Sequence, residues 1–224
     1  MSRRGVVLAL ACLVSTSVAL SACAPPDYTF AKLGPGAAPD AGTVYFKVPR
    51  AWTQLPEKQI AKAESGWGQD PTAGPLLKAT AWQTAYDASV QPTVEHVLGR
   101  SGSDQPTVYA SLRTLYDGER AGATVAALRD LVAPVTTLTS SKAITLTTDD
   151  QLNQSGVTGV HLVFSYAGSA GQPAQTVDQT AYLSAGNDAI YLFVVRCTTA
   201  CYDIHRDEIK SVTTSYTIRE DRRG

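Results

Sequence analysis

The sequence predicts an α+β fold in which helices cover both faces of a mostly antiparallel sheet. Three observations point to it. From Ile144 onward, four β-like runs (144–152, 157–166, 176–184 and 189–197) are separated by clusters of Gly, Ser, Asn and Asp, the pattern of a meander. In the last run, Ile190-Tyr191-Leu192-Phe193-Val194-Val195 is apolar throughout, which a strand tolerates only when something covers each side of its sheet. Upstream, Val125, Leu128, Leu131 and Val132 recur at helical spacing, with Thr124 as N-cap and Pro134 as stop, and predict a helix there.

At the amino end, Arg3-Arg4, an apolar run from Val6 to Leu20 and the small residues behind it have the layout of an export signal over residues 1–22, too short to span a bilayer. Leu20-Ser21-Ala22-Cys23 resembles the lipobox of bacterial lipoproteins. In that family the cysteine is diacylglycerylated, the chain is cut before it, and the new amine takes a palmitate-type acyl group. One acyl chain holds a protein only reversibly, at about 0.8 kcal/mol per buried methylene, so two or three are needed for stable attachment. The expectation is export and anchoring through Cys23 on the outer face of the cell membrane. An ordinary signal followed by an incidental cysteine is the competing reading. Ser2 to Leu8 only brushes the twin-arginine export pattern, because its aromatic is absent.

Residues 23–42 read as a flexible tether from the lipidated cysteine, with Pro25, Pro26, Pro35 and Pro39 interrupting any helix or ladder. Its role would be to hold the domain clear of the membrane, with Tyr28, Phe30 and Leu33 available to dock. Residues 43–224 read as one domain, long enough for a substantial core and too short for two.

Within that domain, Thr43 to Val48 is a strand stopped by Pro49, and Pro56 to Ala63 starts a short helix. Gly66 to Pro75 is a loop, Leu77 to Tyr86 a strand, Val94 to Leu98 a helical turn, and Gly99 to Pro106 a loop. Val108 to Tyr116 is β-like and turns at Asp117-Gly118. In the third meander strand Val177, Gln179, Ala181 and Leu183 share one face, and Asp178, Thr180 and Tyr182 the other. Asp203 is positioned to cap a final helix to Ser211, and Thr213 to Ile218 returns as an extended piece.

The strand Val44-Tyr45-Phe46-Lys47-Val48-Pro49 with Trp52, the hairpin series from Val160 to Val195, and the closing Ile209, Val212 and Ile218 together resemble the Mog1/PsbP-like fold. Specifically, they are similar to the LpqN/LpqT type of actinobacterial cell-envelope lipoproteins. The resemblance implies a three-layer α/β/α sandwich around an antiparallel sheet, serving as a binding or scaffolding module, with no family active site to carry over.

Lys+Arg 19 against Asp+Glu 20 gives a formal −1, and losing Arg3 and Arg4 with the signal makes the mature chain more acidic still. With no basic stripe, nucleic acid is not an expected partner. Beyond Cys23 the remaining mature thiols are Cys197 and Cys201, expected to oxidise to a disulfide outside the cytoplasm. Two alternatives stand beside that pairing: a soft metal site of Cys197, Cys201 and His205, and free reactive thiols. His161 sits on the strand face opposite Leu162 and Phe164, and His96 lies beside Glu95; both have ordinary structural explanations. Asp149 and Asp150 point to opposite sides if extended, and a solvated turn accounts for them better than acid/base chemistry. Of the tryptophans, Trp52 and Trp82 read as core, and Trp67, between two glycines, as a candidate for surface recognition.

No Gly-x-Ser-x-Gly elbow, Ser-x-x-Lys, His-Glu-x-x-His or phosphate-cradling glycine loop occurs in the sequence. The expected function is therefore a lipid-anchored, non-catalytic binding or adaptor module that needs neither cofactor nor metal, with an envelope protein or glycolipid as its partner. The alternative is a carrier holding a lipid or glycolipid in an apolar cleft, and the third reading is a hydrolase without a familiar motif.

Overall fold

The computed structural model describes residues 27–33, 42–65, 80–168 and 171–220. The signal at 1–22, Cys23, and Trp67 with its loop from Gly66 to Pro75 lie outside the described residues. In chain order come β1 (Tyr28–Leu33), β2 (Thr43–Pro49), β3 (Thr53–Leu55), α1 (Glu57–Ser65), β4 (Thr80–Asp87), α2 (Val94–Val97), β5 (Thr107–Thr114) and α3 (Asp117–Arg120). A 3-10 turn at Ala127–Asp130 and α4 (Val135–Ser140) follow, then β6 (Ile144–Gln154), β7 (Val157–Tyr166), β8 (Gln175–Leu183) and β9 (Ala189–Thr198). Helices α5 (Thr199–Ile204) and α6 (Arg206–Thr213) lead to β10 (Thr217–Arg219).

The strands form two sheets, and every ladder between them is antiparallel. The small sheet has the order β1-β2-β10, and the large one β3-β4-β5-β9-β8-β7-β6. The predicted meander is present as β6 to β9, and β9 then pairs with β5 at the centre. That central place explains its sequence. Tyr191, Phe193 and Val195 face the small sheet, and Ile190 and Val194 the other side, all buried.

On the first side, Phe46 of β2 meets Phe193 with ring centroids 5.0 Å apart, and Tyr216 stacks on Phe193 at 4.6 Å. Ile209 and Val212 of α6 close the same cluster. Tyr182 packs over Gly159, where a Cβ would come within 2.6 Å of its ring, so only glycine fits that place in β7. On the second side, Leu128 and Val135 cap a cluster built on Leu162, Phe164 and Val177, while Ile60 of α1 and Val94 and Val97 of α2 cover the β3–β4 end. The core is thus layered as expected, except that one outer layer is partly a sheet. The β1-β2-β10 ribbon shares the first face with α5 and α6.

The ribbon corrects the expected tether. Within residues 23–42, Tyr28–Leu33 is a strand whose Ala31 and Leu33 are buried and whose whole length pairs with β2. The prolines of that segment fall outside Tyr28–Leu33 in the sequence. The helix expected from Val125 to Val132 is reduced to the 3-10 turn at Ala127–Asp130. Among its apolar residues only Leu128 is fully buried, and Pro134 cuts the segment too short to propagate. Helix α4 beyond that proline was not anticipated. The final helix breaks at His205 into α5 and α6, and its cap is Thr198, whose hydroxyl accepts from Cys201 N at 3.2 Å, rather than Asp203. Asp117-Gly118 opens the short helix α3 instead of a bare turn.

Asp149 and Asp150, expected in a turn, lie in the middle of β6, an edge strand. A bulge between Leu146 and Thr148 displaces Thr147, which donates its hydroxyl hydrogen to Val163 O at 3.0 Å. Bulge and paired acids are the devices by which an edge discourages pairing with another chain.

Candidate functional site

The small sheet and its helices leave part of the large sheet's first face open. Beside them, α5 and α6 wall a cleft of about 550 Å³ whose floor is the polar side of β7 and β8 with the start of β6. His161, Val163 and Ser165 alternate along β7, and Thr176 and Asp178 along β8, so one face collects them all. Tyr202, Arg206, Lys210, Thr213 and Thr214 descend from the helix side. A smaller hollow of about 240 Å³ continues past His161, Thr213 and Thr214 toward Tyr182 and Tyr216.

Asp178 organises this cleft. Its side chain is almost wholly buried, and both oxygens are used: His161 Nε2 donates to Oδ1 at 2.9 Å, and Tyr202 OH donates to Oδ2 at 2.8 Å. The bond to Asp178, opposed by burial and assisted by the charges of Asp178 and Asp150, raises the His161 pKa above its ordinary 6.5. Burial and the same carboxylate push the Tyr202 phenol up. With Nε2 donating, the imidazole presents Nδ1 as its free nitrogen.

A histidine oriented by a carboxylate is half of a nucleophilic apparatus. Ser165 is four residues along β7 from His161, roughly 13 Å at strand spacing, and its Oγ is 2.8 Å from Thr176 Oγ1, which in turn donates to Thr199 Oγ1 at 3.1 Å. These hydroxyls bond one another instead of the imidazole. Arg206 is held by Asp203 at 2.6 Å. What the cleft offers is a rim of hydroxyls and cations over a closed polar network, suited to hydrogen-bonding a polar surface.

The Cys197–Cys201 disulfide is present, both residues are buried, and their Cα atoms lie 5.9 Å apart. This consumes two ligands of the alternative metal set, and His205 Nδ1 instead bonds Glu208 Oε2 at 3.2 Å. The bridge joins the end of β9 to α5 one residue before Tyr202, and so helps set the cleft wall. Trp52 is core, and Trp82 packs partly buried against the same cluster. Asp149 pairs with Arg129 on the opposite side of the molecule from the cleft floor's carboxylate. Among the described residues no group of three or more His, Cys, Asp and Glu could hold a metal ion.

Two further polar clusters are structural. Buried Asp87 accepts from Ser89 N, Thr93 N and His96 Nδ1, the last at 2.8 Å, and ties down the loop ahead of α2. Glu64, its pKa raised by burial, takes the Tyr109 hydroxyl hydrogen at 3.1 Å beneath α1. Sequence reasoning placed His161 and Asp178 on polar strand faces without joining them, and it missed Tyr202, Arg206 and Lys210. The signal that could have joined them is the succession of two alternating strands, whose antiparallel ladder sets the polar faces of β7 and β8 side by side.

No protein-family model and no curated protein matches this sequence. Among solved structures, the chain is similar to LpqN of Mycobacterium tuberculosis, described as involved in cell envelope biogenesis, at 17% identity over 85% of this chain and 91% of that one, TM-score 0.48. It is also similar to cyanobacterial PsbP from Synechocystis, at 9% identity over 88% and 96% with TM-score 0.49. The Ran-binding protein Mog1p of Saccharomyces cerevisiae gives 9% identity over 86% and 96%, TM-score 0.44. These are the proteins whose fold the sequence resembles, and the likeness is one of fold alone.

Proposed function

We propose that this chain is exported, lipidated at Cys23 and held on the outer face of the cell membrane, where its domain binds another envelope protein and catalyses no reaction. The observation that carries the binding reading is the cleft between β7–β8 and α5–α6, whose His161–Asp178–Tyr202 network closes on itself beneath a rim of hydroxyls and cations. The location rests on Leu20-Ser21-Ala22-Cys23, and a buried disulfide suits an oxidising compartment outside the cytoplasm. Among the described residues no helix is long and apolar enough to cross a membrane; the anchor in this reading is the acyl group on Cys23. The hydroxyl and charged side chains along its rim favour a protein partner over the lipid or glycolipid cargo of the alternative reading.

Fractionation tests the location: the Cys23→Ser chain is expected in the soluble or precursor fraction while the wild type sediments with membranes, and equal partitioning would refute the anchor. A photocrosslinker at Thr214 in intact cells tests the site. It should give a discrete protein adduct that one at Lys142, beyond the opposite face of the sheet, does not. A lipid adduct at Thr214 would support the carrier instead, and turnover of ester, glycoside or peptide substrates by the pure protein would overturn the non-catalytic reading.

A further inference from the structure

The outer face of the small sheet has an unusual composition. Val44, Phe46 and Val48 of β2 are buried, so Tyr45 and Lys47 point outward, beside Phe30 and Lys32 of β1 and Arg219 of β10. Phe30 is 74% exposed. None of the three strands contains an acidic residue. The cations lie over the aromatic rings, Lys47 Nζ 4.3 Å from the Tyr28 centroid, Lys32 Nζ 5.3 Å and Arg219 5.6 Å from that of Tyr45. Of the acids at the margins, Asp27 pairs with Arg50 at 3.1 Å and Glu220 accepts from Tyr191 OH at 3.0 Å, while Glu57 at the start of α1 is exposed and shares a hollow with Phe30 and Lys32.

Chain length fixes what this face meets. Only four residue steps separate Cys23 from Asp27, the residue before β1, and fully extended they reach about 14 Å. A leaflet's polar headgroup zone alone takes up about half of that reach. An acylated Cys23 therefore cannot hold the domain at a distance.

We infer that the outer face of the β1-β2-β10 sheet lies on the membrane surface, with Phe30, Tyr28 and Tyr45 at headgroup depth and Lys32, Lys47 and Arg219 against anionic lipid phosphates. The inference rests on the anchored reading for its location but not for its chemistry. Aromatic rings with one apolar and one polar end settle at that depth, and lysine and arginine stems lie along apolar surface while their charges reach phosphate. Helix α6 lies between this face and the cleft, since Ile209 and Val212 pack into the cluster behind β2 while Lys210 and Thr213 wall the cleft. The domain would rest on its small sheet and open its binding cleft sideways.

Flotation of the mature chain carrying Cys23→Ser tests this without the anchor. The chain should float with vesicles of phosphatidylcholine and phosphatidylglycerol, not with phosphatidylcholine alone, and lose binding as salt is raised. Each cation near an anionic surface strengthens binding about fivefold, so Lys32→Gln, Lys47→Gln and Arg219→Gln together should weaken it on the order of 100-fold. Phe30→Ser alone should weaken it about tenfold. Lys142→Gln, beyond the other face of the large sheet, should leave it unchanged. A parent chain that stays at the bottom with the anionic vesicles, as expected if this face binds an acidic protein instead, would overturn the inference, as would flotation of the triple variant equal to the parent. Acyl mass on the wild-type chain is read separately. An unmodified Cys23 removes the anchor and leaves the flotation result standing.

Discussion

At the scale of single residues, Asp178 is the group on which most depends, because one buried carboxylate ties β7, β8 and α5 together through His161 and Tyr202. The linkage has a definite sign. The folded-state pKa of His161 is raised, so the pair's contribution is fully present below the unfolded value near 6.5 and is lost as pH rises through the folded pKa. Asp178→Asn should bring the imidazole back toward 6.5 in an NMR titration and flatten the fall in stability above that pH; an unchanged His161 titration would refute the assignment. Asn keeps one acceptor oxygen and turns the other into a donor, so losing one of the two bonds to this buried group should also cost about 1–3 kcal/mol in chemical denaturation. This site was only half legible in the sequence. Alternation put His161 and Asp178 on polar strand faces, but the register sets His161 opposite Thr180, so Asp178 is reached diagonally, two residues along the neighbouring strand. A diagonal contact depends on hairpin geometry that residue types do not carry.

Among the elements, α5 shows how a local constraint reaches a functional wall. Its first turn is fixed by the Thr198 cap and by the bridge between Cys197 and Cys201, and Tyr202 follows at once. A ring of about five residues contributes on the order of 2 kcal/mol by chain entropy. Cys197→Ser should therefore lower Tm by about 4–8 °C while leaving membrane partitioning intact, as scanning calorimetry and fractionation would measure. An unaltered Tm would mean that the helix is held by its packing alone. Elements with strong periodicity were the readable ones: β7 begins and ends where alternation says it should, and β6, β8 and β9 differ by a residue or two at their ends. Two errors had a shared cause. The apolar spacing around Leu128 and the proline-rich composition around β1 are local signals, whereas both outcomes were decided by tertiary burial, of one leucine in the first case and of Ala31 and Leu33 in the second.

Across the whole molecule, the two sheets share one aromatic cluster, and Phe46, Phe193, Tyr86 and Tyr216 lie within 6.3 Å of one another by ring centroids along the chain of contacts. The small sheet should not melt separately from the large one. Phe46→Ala should cost about 3–5 kcal/mol, and heating should show one transition for both variant and parent; a separate early transition would mean the ribbon is an independent unit. The order β1-β2-β10 has a further consequence for biogenesis. Its middle strand is flanked by the first strand described and by the last, so a hairpin that emerges early as the chain is made waits, with one flank unzipped, for a segment delivered some 170 residues later. Until Ile218 arrives to zip that flank, the nascent domain is unfinished, and a product clipped ahead of Thr217 would carry its immaturity openly, as a raw margin along β2.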